Sequence, residues 1–272
     1  MLNLLHTLPL VRGATLLAWD PCGLFALAKP VGVRSQPNDR HPDPRALLTC
    51  IFSPENEAYT WMRENRPTQS IYLLNRLDAP ASGIVLLSLN KTVAKAVRAC
   101  FTRHTVTKQY YAWVKGHVPQ TASLWRDRLQ TRHEHGHVRS CRTPGTGKTA
   151  ITTVRVERYR DTVSRGTPST LLSLRPQTGR THQLRVQCAV RGYPILGDKT
   201  YGDFDLNHTL RQAGLGQRLL LHHATLALHF QYHDQSVTFQ AHAPLPPIFN
   251  NLPANRKSSD ISDPRFPVSD AP

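Results

Sequence analysis

The sequence predicts a single α+β domain, and three observations point to it. Short apolar or alternating runs and helical patterns follow one another irregularly, which fits neither a regular βα repeat nor an all-β chain. No internal repeat and no interior linker breaks the first 250 residues. At 272 residues and 39% hydrophobic content, the chain can bury about 70–75% of its unfolded surface without staples. Residues 1–250 are read as the domain. Residues 251–272, polar and rich in Pro and Ser, have the composition of a disordered tail.

The elements follow in order. "GATLLAWDPCGLFALAKPVG" is a hairpin whose turn is Asp20-Pro21-Cys22-Gly23. "DPRALLTCIF" predicts a helix, with Asp43 as N-cap and Pro44 at its first position. "IYLL" (71–74) and "IVLLSL" (84–89) are buried strands, so "NRLDAPASG" (75–83) is the loop between them. In "NKTVAKAVRACF", Val93, Ala96, Val97, Cys100 and Phe101 share one face of an amphipathic helix. "KQYYAWVKG" alternates as a strand, with Tyr110, Ala112 and Val114 on one face. "TAITTVRVERY" and "TLLSLR" are strands. "RTHQLRVQCAVRG" is a helix opened by Thr178-Gly179 and closed by Gly192, with Arg180, His182 and Arg185 in its first turns. "TLALHFQYHDQSVTFQAHAP" is a last hairpin.

Charge narrows the function. The net charge is +16, from 34 Lys and Arg against 18 Asp and Glu. Such a surplus favours a polyanionic partner, because each cation that meets a phosphate releases condensed counterions. Five cysteines, with no C-x-x-C pair, argue against a disulfide framework or zinc ribbon and suit the reducing cytoplasm. The N-terminal "MLNLLHTLPLVRG" is a poor secretory signal, and no run of 18 apolar residues predicts a membrane span.

Two signatures carry no expected site. "GTGKT" (145–149) resembles a phosphate-binding loop, but Arg142 stands where that motif needs Gly. "HVRSCR" before it does not read as the buried strand the motif needs. "HEHGH" (133–137) matches H-E-x-x-H, yet zinc binding needs both histidines on one helix face. Gly136 and the missing periodicity predict a solvated loop instead, and no metal.

Two stretches carry the functional signal. Asp78 is the only acid between Asn65 and Arg126, a stretch holding eight Lys or Arg. It is either a counter-charge for one arginine or a reactive carboxylate kept ionised by its neighbours. "LRPQTGRTHQLRVQ" (174–187) lies in an acid-free stretch between Asp161 and Asp198, where free helix N–H groups favour anions.

Taken together, "NRLDAPASG", "KQYYAWVKG", "RPQTGRTHQLRVQ" and "ILGDKTYG" resemble the RluA-type family of RNA pseudouridine synthases, in the family's order. "ALAKPVGVRSQP", "LLLHHATLALHF" and "FQAHAPLP" extend the resemblance over roughly residues 15–248. It implies the family's catalytic fold: a long, mixed, mostly antiparallel sheet with flanking helices and a central cleft. It implies an isomerase of uridine in structured RNA, rRNA or tRNA, that needs no cofactor or metal. A monomer without a preceding RNA-binding domain is expected.

By the same resemblance Asp78 is the catalytic aspartate, Arg185 its partner and Tyr110 the aromatic that stacks on uracil. Arg76 fills the gap left by the flipped uridine. Arg180, His182 and Lys108 are expected to contact RNA, and Leu184 to line the uracil pocket. Asn75, Ala81 and Gln187 depart from the family's usual residues. Those at 75 and 81 motivate the alternative, a catalytically inactive RNA-binding protein of the same fold.

Overall fold

A computed structural model of the chain describes residues 7–39, 41–63, 66–120, 123–134, 137–143, 145–164, 167–212, 214, 218–250 and 252. The expected first hairpin forms: β1 (Thr15–Trp19) pairs antiparallel with β2 (Leu24–Lys29), closed by Asp20 and Gly23. The predicted helix over 43–52 does not form. Ala46 bridges to Arg34 and Leu48 to Leu10, and Ile51–Ser53 becomes strand β3. Asp43 still caps a turn, accepting from the Arg45 N–H, but Leu47, Leu48 and Phe52 bury as part of a tertiary cluster that overrides the local helix signal.

β4 (Ala58–Arg63), β5 (Arg66–Leu73) and β6 (Ser82–Ser88) complete the first half, and every residue of β6 is buried. Helix α1 (Lys91–Thr102) follows. The Asn90 side chain accepts from the N–H groups of Thr92 and Val93, while Val93, Ala94, Val97 and Cys100 bury their side chains. Then come β7 (Thr107–Lys115), β8 (Ser123–Glu134), β9 (His137–Arg142), β10 (Lys148–Ser164), β11 (Thr167–Pro176) and α2 (Gln183–Ala189). α3 (Phe204–Gln212), β12 (Leu221–Tyr232), β13 (Gln235–His242) and α4 (Pro247–Asn250) are the last elements of the described chain.

One sequence expectation fails at β8 and β9: His133 pairs with Val138 and Glu134 with His137 across a hairpin rather than within a solvated loop. "HVRSCR" is a strand, but an edge strand with Val138, Arg139 and Arg142 exposed, not the buried strand a phosphate-binding loop needs. The backbone at His133 and His137 is extended, so the helix that H-E-x-x-H zinc binding requires is not there. "GTGKT" is the turn from β9 into β10, with Gly145 and Gly147 at positive φ.

The thirteen strands form one sheet among the described residues, ordered β3-β4-β5-β6-β12-β7-β11-β10-β8-β9, with β1–β2 and β13 joined beside this path. Every pairing is antiparallel except β6 with β12, which meet in parallel at Ser82–His222 and Gly83–His223. That seam joins the two halves. A Cβ at Gly83 would lie 2.2 Å from the His223 carbonyl oxygen, so only glycine permits this approach.

Both faces of the central sheet are covered. Leu24, Ile84 and Leu86 pack under Val93 and Val97 of α1, while Phe25, Leu27 and Leu87 face the Leu47–Tyr59–Ile71 cluster. Trp113 and Leu171 bury against Leu206 and Phe249. Leu252 joins that last cluster; residue 251 and residues 253–272 of the expected tail lie outside the described residues. The five cysteines are free.

Candidate active site

The expected loop between β5 and β6 exists, and an unexpected residue fixes it. Lys29, fully buried at the end of β2, aims its ammonium at the carbonyls of Val33 and Ala81 (both 2.6 Å), Pro30 (3.0 Å) and Ala79 (3.2 Å). Burial pulls it down to about 7, against the charge of Asp78, which holds it up. Ser35 adds a second clamp, donating to the Leu77 carbonyl and accepting from the Leu77 N–H. Asn75 accepts from the Leu86 N–H and donates to the Ile84 carbonyl, so its amide takes the place of a strand neighbour. Ala81 is buried and offers its carbonyl to Lys29.

Asp78 emerges from this frame with its side chain 25% exposed. Arg185, on α2, donates from Nη1 to Asp78 Oδ2 at 3.1 Å. The same guanidinium donates from Nε and Nη2 to the two oxygens of Asp198, each at 2.8 Å. Asp198 is 1% exposed and also accepts from the N–H groups of Thr200 and Tyr201. Burial pushes its carboxyl up, but the Arg185 bonds and charge and these two N–H groups hold it below the usual range.

His182 stands on the other side of Asp78, its Nε2 3.9 Å from Oδ1. The Ser140 N–H donates to the Tyr201 hydroxyl oxygen, and the same hydroxyl lies 2.8 Å from His182 Nδ1. Burial lowers the His182 pKa, with Asp78 opposing, which favours the neutral ring.

The helix carrying Arg185 starts later than the sequence suggested. His182 has φ 53°, a left-handed N-cap, and α2 begins at Gln183. Arg180 and His182 therefore precede the helix. Gln183 Oε1 accepts from the Arg180 N–H and the Thr178 hydroxyl, so its amide occupies the entry to the helix. The Arg180 guanidinium reaches the Thr149 carbonyl at 3.0 Å.

Tyr110 projects from β7, and its ring lies parallel to His223 of β12, with centroids 4.2 Å apart and planes 6° apart. Burial raises the Tyr110 hydroxyl pKa, and the Asp78 charge adds to it. His223 is fully buried; its Nδ1–H donates to the Ile84 carbonyl, and Nε2 has no partner. Lys108 lies near the Phe101 ring and is pulled down to about 8 by burial.

A cleft of about 1000 Å³ crosses the sheet here. Asp78, Tyr110, Arg185, Arg76, Arg180, Leu184, His182 and Lys108 all line it, together with Arg34, Gln36 and Asn38. Arg76 is exposed and Leu184 is buried. Asp198, Lys29, Ser35, Tyr201 and His223 contact the candidate site residues or their loop, and the sequence does not single them out. All five sit inside the segments "ALAKPVGVRSQP", "ILGDKTYG" and "LLLHHATLALHF", but a lone Lys, Ser or His in an apolar run gives no local sign of its partner. Gln187, a departure from the family pattern, is fully buried; it accepts from Thr152 and donates to Asp127 and the Ala150 carbonyl.

Known proteins resemble the chain in sequence and in fold. The profile of the RNA pseudouridylate synthase family matches residues 23–190. The chain is 29% identical over 241 residues to the dual-specificity RNA pseudouridine synthase RluA of Vibrio vulnificus (strain CMCP6), covering 86% of this chain and 84% of that protein. It is 33% identical over 156 residues to RNA pseudouridylate synthase domain-containing protein 1 of Bos taurus, covering 54% of this chain and 47% of the bovine protein, about half of its length. The solved structure of human RNA pseudouridylate synthase domain containing 1 superposes with a TM-score of 0.63 over 92% of each chain, at 23% identity, a likeness of fold.

Proposed function

The chain belongs to the RNA pseudouridylate synthase family, of the RluA type, and from that premise we propose that it isomerises uridines in structured RNA, rRNA or tRNA, with Asp78 as the catalytic carboxylate. The observation that carries the reading is Asp78 itself: part-exposed in the cleft, hydrogen-bonded by Arg185, with Tyr110 lining the same cleft. The reaction breaks the bond from C1′ to N1 and forms one from C1′ to C5 of the same base. The C5 proton leaves and N1 gains one, so there is no redox change and no outside group.

Each residue has a task in this scheme. The Asp78 carboxylate meets the electron-poor C1′ as the bond to N1 breaks. Arg185 fixes its direction, and His182 Nε2 faces its other oxygen. Tyr110 offers a ring face that holds the freed uracil while it turns. The uridine must leave its helix first, at a cost of a few kcal/mol, and Arg76 fills the gap; its exposure at the lining of the cleft supports this reading. Asn75 and Ala81 frame the loop rather than react, which favours an active enzyme over an inactive binder. The protein acts as a cytoplasmic monomer in this reading.

The test is pseudouridine mapping on unmodified tRNA and rRNA transcripts incubated with wild type and Asp78→Asn. The expected result is specific pseudouridines with wild type and none with Asp78→Asn, whose RNA affinity stays equal or tightens. Wild-type levels of product from Asp78→Asn would overturn the assignment.

A further inference from the structure

The strands that wall the cleft have a second face, and its charge differs from the first. β8 pairs with β10 and with β9 in unbroken register. Residues directly opposite in an antiparallel pair point to the same side, and alternate residues point to opposite sides. One side of β8 therefore carries Asp127 and Leu129, both buried towards α2. The other carries Arg126, Arg128 and Arg132. Arg139 stands opposite Arg132, and Thr153, on the same side of β10, stands opposite Arg175 of β11. Arg155, two residues beyond Thr153, also lies on this side. All six arginines are exposed.

The two faces treat arginine differently. On the cleft side, Arg142 and Arg191 both pair with buried Asp127, and Arg185 pairs with Asp78 and Asp198. On the reverse side, none of the six forms an ion pair among the described residues. Among the described acids on this side, Asp203 pairs with Lys115 instead, and Glu157 lies close enough, with Arg175, to influence Tyr111. Arg132 and Arg139 face each other directly, an arrangement that destabilises a sheet when both groups carry the same charge. A partner that supplies negative charge would remove that repulsion.

We propose that this arginine face is a second RNA-phosphate surface, continuous with the cleft around the edge of the sheet. β9 is the last strand in the order, so the β8–β9 hairpin is a free edge. Thr131 and Val138 of that hairpin line the cleft. RNA leaving the cleft past this edge meets Arg132 and Arg139 next, then Arg128 and Arg126. The surface recognises phosphate spacing rather than base identity, since exposed arginines without an acidic partner read charge first. The inference rests on the family reading only for its choice of RNA as the polyanion.

The test compares two charge-matched triple variants of the full chain. One is Arg126→Gln, Arg128→Gln, Arg132→Gln. The other, on exposed positions of and beside α1, is Lys91→Gln, Lys95→Gln, Arg103→Gln. Binding of a labelled total tRNA pool is measured across a KCl series, with circular dichroism to confirm folding. The β8 triple should lower the slope of log Kd against log salt by about 2–3, at roughly 0.7–0.9 for each phosphate no longer neutralised. The α1 triple should leave it near wild type. Equal effects from both triples, or none from the β8 triple, would overturn the proposal. Absence of pseudouridine from wild-type reactions would instead count against the enzymatic reading, because the binding slopes do not depend on turnover.

Discussion

Arg185 and Asp198 form a buried fork-to-fork pair, with both N–H···O distances 2.8 Å. This contact is shorter and drier than the one between Arg185 and Asp78, at 3.1 Å with Asp78 part-exposed. Asp198 takes the two-pronged share of the guanidinium, and Asp78 receives its charge attraction and one directed N–H, which fixes where its carboxylate points.

Asp198→Asn should accordingly damage both stability and turnover. Breaking a buried pair costs about 3–5 kcal/mol, because the remaining charge is left without its partner. Urea unfolding would read the first effect and tritium release from C5-labelled RNA the second. Arg185→Lys should fail as well, since an ammonium cannot present the same planar fork to Asp198 and still reach Asp78. Near-normal turnover in Arg185→Lys would show that the shared fork is not needed.

Lys29→Met removes the donor that gathers four carbonyls beneath the loop. Each buried acceptor left unsatisfied costs about 1–3 kcal/mol. A loss of several kcal/mol in urea unfolding is expected, with a fall in kcat that exceeds any change in RNA affinity. An unchanged unfolding midpoint would refute the clamp.

The stack of Tyr110 on His223 predicts a split between two substitutions. His223→Ala removes the ring that backs Tyr110, and small misplacements at a reacting centre lower rates by up to about 100-fold. His223→Phe keeps a ring there and should retain most of kcat. Equal rates for Ala and Phe would mean that the buttress does not orient Tyr110.

Stability should fall in mild acid, and the sign follows from two buried histidines. Burial lowers His222 to about 4 and pulls His223 further down. His222 Nδ1 faces the Ser82 hydroxyl and Nε2 the Ala243 carbonyl, a pattern that a neutral ring satisfies. Unfolded histidine titrates near 6.5. Between about 6.5 and 4 the unfolded chain binds more protons than the folded one, so stability is full above 6.5 and declines as pH falls towards 4. For His222 alone the span is on the order of 3 kcal/mol. Urea midpoints at pH 7 and pH 4.5 would measure it, and His222→Gln should flatten the slope.

Much of this protein is legible from residue order alone. The β1–β2 hairpin, the α1 helix and the alternation of β7 are written in local periodicity, and each forms where its pattern lies. The isolation of Asp78 among cations, and the motifs around it, are enough to mark the loop and the α2 segment as a candidate site, and the two do meet in one cleft. Charge and motif order need only the chain.

Tertiary structure decided what sequence separation hides. The helix pattern at 43–52 gave way because Ala46 and Leu48 found bridging partners at Arg34 and Leu10, and burial in a shared cluster outweighs a local propensity. Arg185 and Asp198, only 13 residues apart, meet because a turn at Gly192 and a loop fold the acid back under the helix. Lys29 and Ala81, His223 and Tyr110, lie too far apart in the chain for any local pattern to couple them. Alternation alone puts Asp127 on one face of β8 and Arg126, Arg128 and Arg132 on the other, but only tertiary structure decides which face is covered: α2 packs over Asp127, brings Arg191 to it, and leaves the arginines exposed.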